Sequence, residues 1–339
     1  MARTSKSPNA VAAEALAVAR KALPPYSHRF SPKRYTQHQL FACLVLKKFY
    51  KTDYRGIADI LRDSRDLREI LELQKVPHWT TLQKASVRLL QQPRFRRLLR
   101  ATVHRHYGRR RRIKRAAMDS SGLSASRASL YYIRRRQKAG GAASLSTYRR
   151  FVKLELVVDT ADHFILAALA SRGPAPDTTR FVPLLTEAQR NVSIVTALAD
   201  AGYDSEPNHQ WARRQQSIRS VIPATAGRPT DKPLTGHYRR LMKQRLNKDY
   251  CQFGQRWQSE TAFSMVKAHQ GDTLSAHTLH SRKREARLIA LTHNILILYA
   301  TWGFLQSTSD PVYRDRRRPR TPTPSRSTPT TTTTASSAT

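Results

Sequence analysis

Residues 116–122 read AAMDSSG and residues 197–203 read ALADAGY. Each is a run of small and apolar residues with an aspartate, Asp119 in the first and Asp200 in the second. The runs predict buried strands that end at these aspartates. In open α/β sheets, functional groups collect at the carboxyl ends of the strands, so the two carboxylates can converge on one spot. Alone, either aspartate could equally cap a turn.

Strand-like and helix-like segments alternate around the two aspartates. Period-two alternation predicts antiparallel strands at 148–160 and 163–173, joined by a turn at Ala161-Asp162. Helices are expected at 177–189 and 206–216, a further strand at 217–224, and basic loops at 126–150 and 224–250. The order β-β-β-α-β-α-β-α indicates an α/β fold, a mixed sheet flanked by helices, whose first, fourth and fifth strands are parallel and central.

The flanking segments differ from this pattern. Residues 1–29 are expected to form a loose arm with one weak helix, because prolines punctuate its end. Residues 30–108 predict an all-helical, basic domain, with Thr36 capping its first helix. Residues 109–305 would carry the sheet. Residues 306–339 are rich in Ser, Thr and Pro and would form a disordered tail, since they bury too little apolar surface.

Positive charge dominates the composition. The 61 Lys and Arg residues outnumber the 23 Asp and Glu residues, which gives a net charge of +38 at pH 7. This surplus favours a polyanionic partner, and nucleic acid is the natural one because each neutralised phosphate releases counterions. A basic surface that serves only solubility is the alternative.

The remaining composition narrows the class of protein. Cys43 and Cys251 fit no ligand pattern, which argues against a disulfide framework or a zinc module and suits a reducing compartment. The longest apolar run, 288–299, is too short to span a bilayer, so no membrane partner is expected.

A third acidic residue, Glu260, lies in the segment RWQSETAFSMVKAHQ, which predicts a helix. At about 100° per residue, Phe253, Arg256, Glu260 and Lys267 fall on one narrow stripe. The stripe sets one carboxylate between two cations, ready to face a metal-bound phosphate. An ion pair of Arg256 with Glu260 on a solvated helix face is the alternative. Oxygen-rich sites of this kind suit Mg²⁺ or Mn²⁺.

These motifs resemble those of bacterial insertion-sequence transposases of the DDE class. The stripe resembles the family's Y-x2-R-x3-E-x6-K signature, with Phe253 in place of the tyrosine. ADAGYDS and AMDSSG are similar to the segments around the family's second and first aspartates, and 280–300 to its closing helix. The likeness spans residues 30–303. The spacing of 60 residues from Asp200 to Glu260 leaves no room for the large inserted domain of some relatives.

The resemblance implies a ribonuclease-H-like fold and a metal-dependent DNA transposase, whose helical domain at residues 30–108 would serve DNA binding or dimerisation. Asp119, Asp200 and Glu260 would hold two Mg²⁺ ions, or Mn²⁺ in their place, while Arg256 and Lys267 would contact DNA phosphates. Water would first free a 3′-OH at the end of the mobile element, and this 3′-OH would then attack target DNA. The partners would be element ends and target DNA. The chain would act as a homodimer in the cytoplasm, associated with the nucleoid.

Other functions remain as alternatives. A metal-dependent nuclease on the same fold would cut without joining, and an inert descendant would bind DNA without chemistry. The presence of all three acids argues against the inert descendant. A serine or tyrosine recombinase is disfavoured because the Ser120-Ser121 and Tyr131-Tyr132 pairs lack an Arg-His-Arg setting.

Nearby side chains are expected to serve the fold. Tyr203 and Trp257 are expected in the core, and Asp204 and Ser205 are expected to cap a helix that starts at Glu206.

Overall fold

The structure, a computed structural model, describes residues 4–108, 112–124, 151–224, 234–246 and 250–309. The chain divides into two compact units, Met1–Thr301 and Trp302–Thr339. The first unit contains the sheet and one continuous hydrophobic core, to which both the helical segment and the strands contribute. The domain boundaries expected from the sequence stay predictions.

The sheet of the first unit has five strands in the order β3-β2-β1-β4-β5. The strands are β1 (Arg112–Leu123), β2 (Val152–Asp159), β3 (Ile165–Arg172), β4 (Ser193–Ala199) and β5 (Arg219–Val221). β1, β4 and β5 are parallel, whereas β2 and β3 run antiparallel to their neighbours. The predicted mixed sheet is therefore confirmed. The prediction that β5 is central is wrong: it forms an edge, because β2 and β3 occupy the other side of β1.

β1 extends further than the sequence indicates. The strand expected to end at Asp119 continues to Leu123, because β2 pairs with it as far as Leu123 opposite Val152. Its parallel pairing with β4, however, ends at Met118 opposite Ala199. Asp119 and Asp200 are thus the first residues beyond the last parallel pair.

The described residues before the sheet form six helices. They are α1 (Pro8–Ala22), α2 (Gln37–Phe49), α3 (Tyr54–Asp63), α4 (Arg65–Ile70), α5 (Trp79–Leu89) and α6 (Gln92–Tyr107). Thr36 caps α2 as predicted, because the Thr36 hydroxyl accepts from the Gln39 N–H and the Gln39 side chain accepts from the Thr36 N–H.

The segment expected to be a loose arm contains a packed helix instead. α1 contacts α2 and α6, and Val11 and Val18 are fully buried. Its many alanines let neighbouring helices approach closely, and Arg105 of α6 donates to the buried Glu14 carboxylate at 2.9 Å. The prolines at 24 and 25 follow the end of this helix without loosening it.

Six more helices lie among and after the later strands in the part of the chain that the structure describes. They are α7 (Phe181–Gln189), α8 (Glu206–Gln210), α9 (His237–Arg245), α10 (Tyr250–Phe253), α11 (Trp257–Gln270) and α12 (Leu279–Ser309). α8 continues into a π-helical turn, Trp211–Gln215, and a 3₁₀ turn, Gly254–Arg256, joins α10 to α11. α9 lies within the segment 224–250 that was expected to be a loop.

α12 extends past the residue at which the tail is predicted to start. The helix continues through Ser309, past residue 306, because no proline interrupts the chain before Pro311. The rest of the predicted tail, 310–339, and the basic loop at 126–150 lie outside the described residues.

Helices pack against the sheet, and one of them caps a single residue of the β3 edge. α7 contacts β2 and β3, and α11 contacts β1 and β2. At the β3 edge, the Asn294 side chain of α12 accepts from the Ile165 N–H at 2.9 Å and donates to the Ile165 carbonyl at 2.8 Å. This mixed sheet flanked by helices is a ribonuclease-H-like α/β fold. No helix within the described residues has the length and apolar character needed to cross a membrane.

Candidate active site

Asp119 and Asp200 lie side by side where β1 and β4 part. They follow Met118 and Ala199, the last parallel pair, in the same register. Adjacent strands are about 4.8 Å apart, so the two aspartates stand one strand spacing from each other. Asp119 Oδ1 accepts from the Ser120 N–H at 2.8 Å, and Asp200 Oδ1 accepts from the Gly202 N–H at 3.0 Å. The fold therefore brings together the two aspartates that the sequence singled out.

Glu260 reaches the same region from the first turn of α11. This helix packs on β1 and β2. Arg256, in the turn before α11, donates to Glu260 Oε1 at 2.5 Å. The Glu260 side chain is 55% exposed and that of Arg256 is 23% exposed. We call Asp119, Asp200 and Glu260 the carboxylate site.

The carboxylates of this site act on one another. Burial raises the pKa of Asp119; the Asp200 and Glu260 carboxylates also raise it, while the Ser120 N–H and Arg256 lower it. Burial likewise raises the pKa of Asp200, against the opposing effect of Arg256. Since like charges this close disfavour ionisation, a bound cation would relieve the repulsion.

The residues present fit a hard divalent cation. The donor set consists of carboxylate oxygens, which Mg²⁺ and Mn²⁺ prefer. The absence of a side chain at Gly202 leaves space beside Asp200, since a Cβ there would lie 3.1 Å from Asp200 Oδ1. Within the described part of the chain, no three His, Cys, Asp or Glu side chains already form a ligand set. Glu260 is held by Arg256, so a three-carboxylate set requires that ion pair to open.

The predicted stripe on the Glu260 helix is only partly realised. Phe253 ends α10 and Arg256 closes a 3₁₀ turn, so neither belongs to α11 with Glu260 and Lys267. The 3₁₀ turn has about three residues per turn and breaks the 100° spacing. Phe253 packs against the core. Lys267 is exposed about 10 Å further along the helix, so it is Arg256 that the structure places beside the carboxylates.

The neighbouring residues confirm some expectations and correct others. Tyr203 is fully buried, as predicted, but Trp257 is 51% exposed where it opens α11, so its prediction as a core residue is wrong. Ser205 caps α8 by accepting from the Asn208 N–H at 3.2 Å, as predicted. Asp204 does not share that role, because its carboxylate accepts from Arg239 Nε at 2.9 Å.

Sequence reasoning missed three charged residues next to the carboxylate site. Lys153 and Glu155 lie on β2 and Asp177 precedes α7. The Lys153 ammonium lies 2.7 Å from Asp177 Oδ1, and Glu155 is fully buried with Arg180 Nε 3.9 Å away. The available signal was two charges in the otherwise apolar strand VKLELVV, since buried charges require partners.

Comparison with known proteins agrees with the fold and the motifs. The family described as transposase DDE domain matches residues 84–295, more than half of the chain and all five strands. The chain belongs to this family. It is thus a transposase of the DDE class, which is a class of enzymes that process nucleic acid. No curated protein matches the chain.

Proposed function

We propose that this transposase binds the ends of a mobile DNA element, cleaves there with two divalent metal ions, and joins the freed 3′ ends to target DNA. The observation that carries the proposal is the in-register placement of Asp119 and Asp200 where β1 and β4 part, with Glu260 beside them. Three carboxylates that repel one another in a basic protein are suited to a divalent cation and DNA.

The three carboxylates would hold the ions together. Asp119 would contribute to both sites, and Asp200 and Glu260 would each contribute to one. The backbone N–H groups of Ser120 and Gly202 fix one oxygen of Asp119 and of Asp200, which leaves the second oxygen for a ligand. When bound, two such ions supply an activated nucleophile and stabilise the leaving oxygen of an in-line displacement.

Arg256 links the carboxylate site to DNA. Its ion pair with Glu260 neutralises that carboxylate while no DNA or metal is present. Once Glu260 takes a metal ligand's role, the guanidinium is released and can meet a phosphate with two parallel N–H bonds. Lys267, further along α11, would contact a phosphate at a neighbouring position as a point charge.

Partners follow from charge and from the helical segment. The net charge of +38 favours close contact with the DNA backbone. The helices of residues 30–108 would bind the element ends or form a homodimer, so that two ends are held together. We infer that the protein acts with the nucleoid in the cytoplasm.

A strand-transfer assay tests the proposal. Labelled DNA from the two flanks of the gene, where inverted repeats are expected, is incubated with the full chain, a supercoiled target plasmid and Mg²⁺. We expect labelled plasmid with Mg²⁺ or Mn²⁺ and none with a chelator. Asp59→Asn, a change in an exposed ion pair of α3, serves as the matched carboxylate control and should join normally.

The alternatives give different products. Cleaved flank DNA that never becomes joined to the plasmid would identify a nuclease. Retarded but uncut flank DNA would identify an inert DNA-binding protein.

A further inference from the structure

Lys153 is a buried cation beside the carboxylate site. Only 8% of its surface is exposed on β2, although most neighbours in this strand are apolar. Its ammonium lies 2.7 Å from the Ala175 carbonyl oxygen and 2.7 Å from Asp177 Oδ1. Burying an ammonium group is unfavourable unless it is paired, and here the Ala175 carbonyl and the Asp177 carboxylate supply the partners.

Asp177 connects this cation to Asp200. A Cβ placed on Gly202 would lie 3.1 Å from Asp200 Oδ1 and 3.4 Å from Asp177 Oδ2. Two oxygens that flank the same point at these distances are at most about 6.5 Å apart. The Lys153–Asp177 ion pair is therefore next to the carboxylate that would bind a metal ion.

Tyr203 lies near the same charged residues. The residue is fully buried, and among the described residues its hydroxyl has no hydrogen-bond partner. Burial raises its pKa first, followed by the carboxylates of Asp177, Glu155, Asp119 and Asp200. Four acids thus lie near enough to this buried hydroxyl to raise its pKa, and Lys153 lies near enough to lower the pKa of Glu155 and of Asp200.

We propose that Lys153 is a positioning residue: its ammonium holds Asp177 beside Asp200 and offsets the repulsion of the carboxylates while no metal ion is bound. The inference rests on the proposed function, because it takes Asp119 and Asp200 as metal-binding residues. A fixed ammonium and an incoming cation repel each other. Removing the ammonium should therefore tighten metal binding, whereas removal of a metal ligand weakens it.

Direct metal binding tests this inference. Mn²⁺ binding to the full chain is followed by electron paramagnetic resonance, without DNA, for wild type, Lys153→Met and Lys153→Arg. We expect Lys153→Met to bind Mn²⁺ about tenfold more tightly, and Lys153→Arg to stay within about twofold of wild type. Lys114→Met, which removes an exposed cation from β1, is the matched control and should stay within about twofold.

Thermal melting gives a second readout. Without metal, Lys153→Met should melt at a lower temperature than wild type, because the carboxylates lose their internal cation. Saturating Mn²⁺ should narrow that difference. A purely structural lysine would lower the melting temperature equally with and without metal, and that result would overturn the inference.

Asp177→Asn decides the matter if Lys153→Met does not fold. This change keeps the shape of the side chain and frees Lys153 to act on Asp200, so Mn²⁺ binding should weaken by about threefold or more. Unchanged binding in Asp177→Asn, or unchanged or weaker binding in a folded Lys153→Met, would refute the role of Lys153. Asp200→Ala separates the two proposals: if wild type has no Mn²⁺ site that this variant loses, the proposed function fails as well.

Discussion

Two aspartates of the β1–β2 strand pair lie only three residue positions apart, and they have opposite surroundings. Asp119 stands opposite Leu156 and belongs to the carboxylate site, while Asp159 stands opposite Ala116 at the turn between β2 and β3. Asp159 accepts from the Tyr107 hydroxyl at 2.9 Å and from the Ala161 N–H at 3.0 Å. We call Asp159, Asp162, His106 and Tyr107 the turn cluster.

Hydrogen-bond donors distinguish these two groups of carboxylates. Burial raises the pKa of Asp159 as it does that of Asp119 and Asp200. In the turn cluster, side-chain and backbone donors hold the acids: Asp162 accepts from the Phe164 N–H at 3.1 Å and pairs with His106. In the carboxylate site, Asp119 and Asp200 accept from adjacent backbone. Carboxylates held by the protein's own donors maintain the fold, and carboxylates left with few donors can bind a ligand.

The largest effect is expected from removing a carboxylate of the site. Asp119→Ala or Asp200→Ala should lower cleavage and joining at least about 1,000-fold in Mg²⁺, because metal-ion catalysis supplies several kcal/mol. Binding of end DNA, measured by gel retardation, should change little. The metal-free melting temperature should not fall, since each change removes a repelling charge. Wild-type-like cutting by either variant would remove that residue from the site.

A second prediction concerns acid stability behind the turn cluster. His293 of α12 is fully buried, its Nε2 lies 2.9 Å from the His163 carbonyl oxygen, and burial lowers its pKa to about 4 from 6.5. Because the folded pKa is depressed, the stability that neutral His293 contributes is present above pH 6.5 and is lost as pH falls towards 4. Wild type should lose about 3 kcal/mol of unfolding free energy over this range from this group.

His293→Gln tests the assignment, because glutamine can still donate to the His163 carbonyl and does not titrate. Urea unfolding of both proteins at several pH values gives the difference. The acid-dependent loss should be smaller in the variant by about the same 3 kcal/mol. If the two proteins lose stability equally as pH falls, His293 has the same pKa in the folded and the unfolded chain, and the assignment is wrong.

Removing an acid of the turn cluster should reverse the pattern seen in the carboxylate site. Asp159→Ala removes the acceptor of the Ala161 N–H and leaves the Tyr107 hydroxyl only its longer contacts with Asp162, at 3.3 and 3.5 Å. These losses should lower the unfolding free energy by about 1–3 kcal/mol. Joining per folded molecule should stay within about twofold of wild type. Denaturant unfolding and the joining assay measure the two quantities. A loss of joining without a loss of stability would show that Asp159 serves the chemistry and not the fold.

The smallest effects are expected from the cations. Arg256→Lys keeps the charge but loses the two parallel N–H bonds, so joining should slow by about tenfold, or roughly 1.4 kcal/mol of barrier. Lys267→Arg should be milder. The Mg²⁺ concentration for half-maximal joining should move little in either variant. If Arg256 only pairs with Glu260 on a solvated face, its replacement costs a few tenths of a kcal/mol and leaves joining unchanged.

The sequence predicts which strands form the sheet better than it predicts where each strand ends. The alternation of side chains along the sequence identified β2 and β3. Short runs of small and apolar residues ending at Asp119 and Asp200 identified β1 and β4. The continuation of β1 to Leu123 depends on pairing with β2, which is a contact between distant parts of the chain. The packing of α1 likewise depends on α2 and α6, so a weak local pattern resembled a loose arm.

The candidate site was predictable only where a motif carries it. The three acids could be recognised from their motifs and their order along the chain. The 3₁₀ turn before α11 is a local departure from helical spacing that the sequence does not indicate. Lys153 and Asp177 are 24 positions apart and meet only because β2 lies beside the segment before α7. Their pairing follows from the tertiary fold, and the sequence offered only an unusual charge in a buried strand.

The side-chain amide of Asn294 affects whether two copies of the protein can pair through their sheet edges. Edge strands present unpaired backbone groups that can recruit a strand from another chain and start aggregation. At the β3 edge, one side chain occupies both the N–H and the carbonyl of Ile165, as a neighbouring strand would. Copies crowded together on DNA therefore meet an edge at which β-sheet extension from one molecule to the next is blocked at this residue.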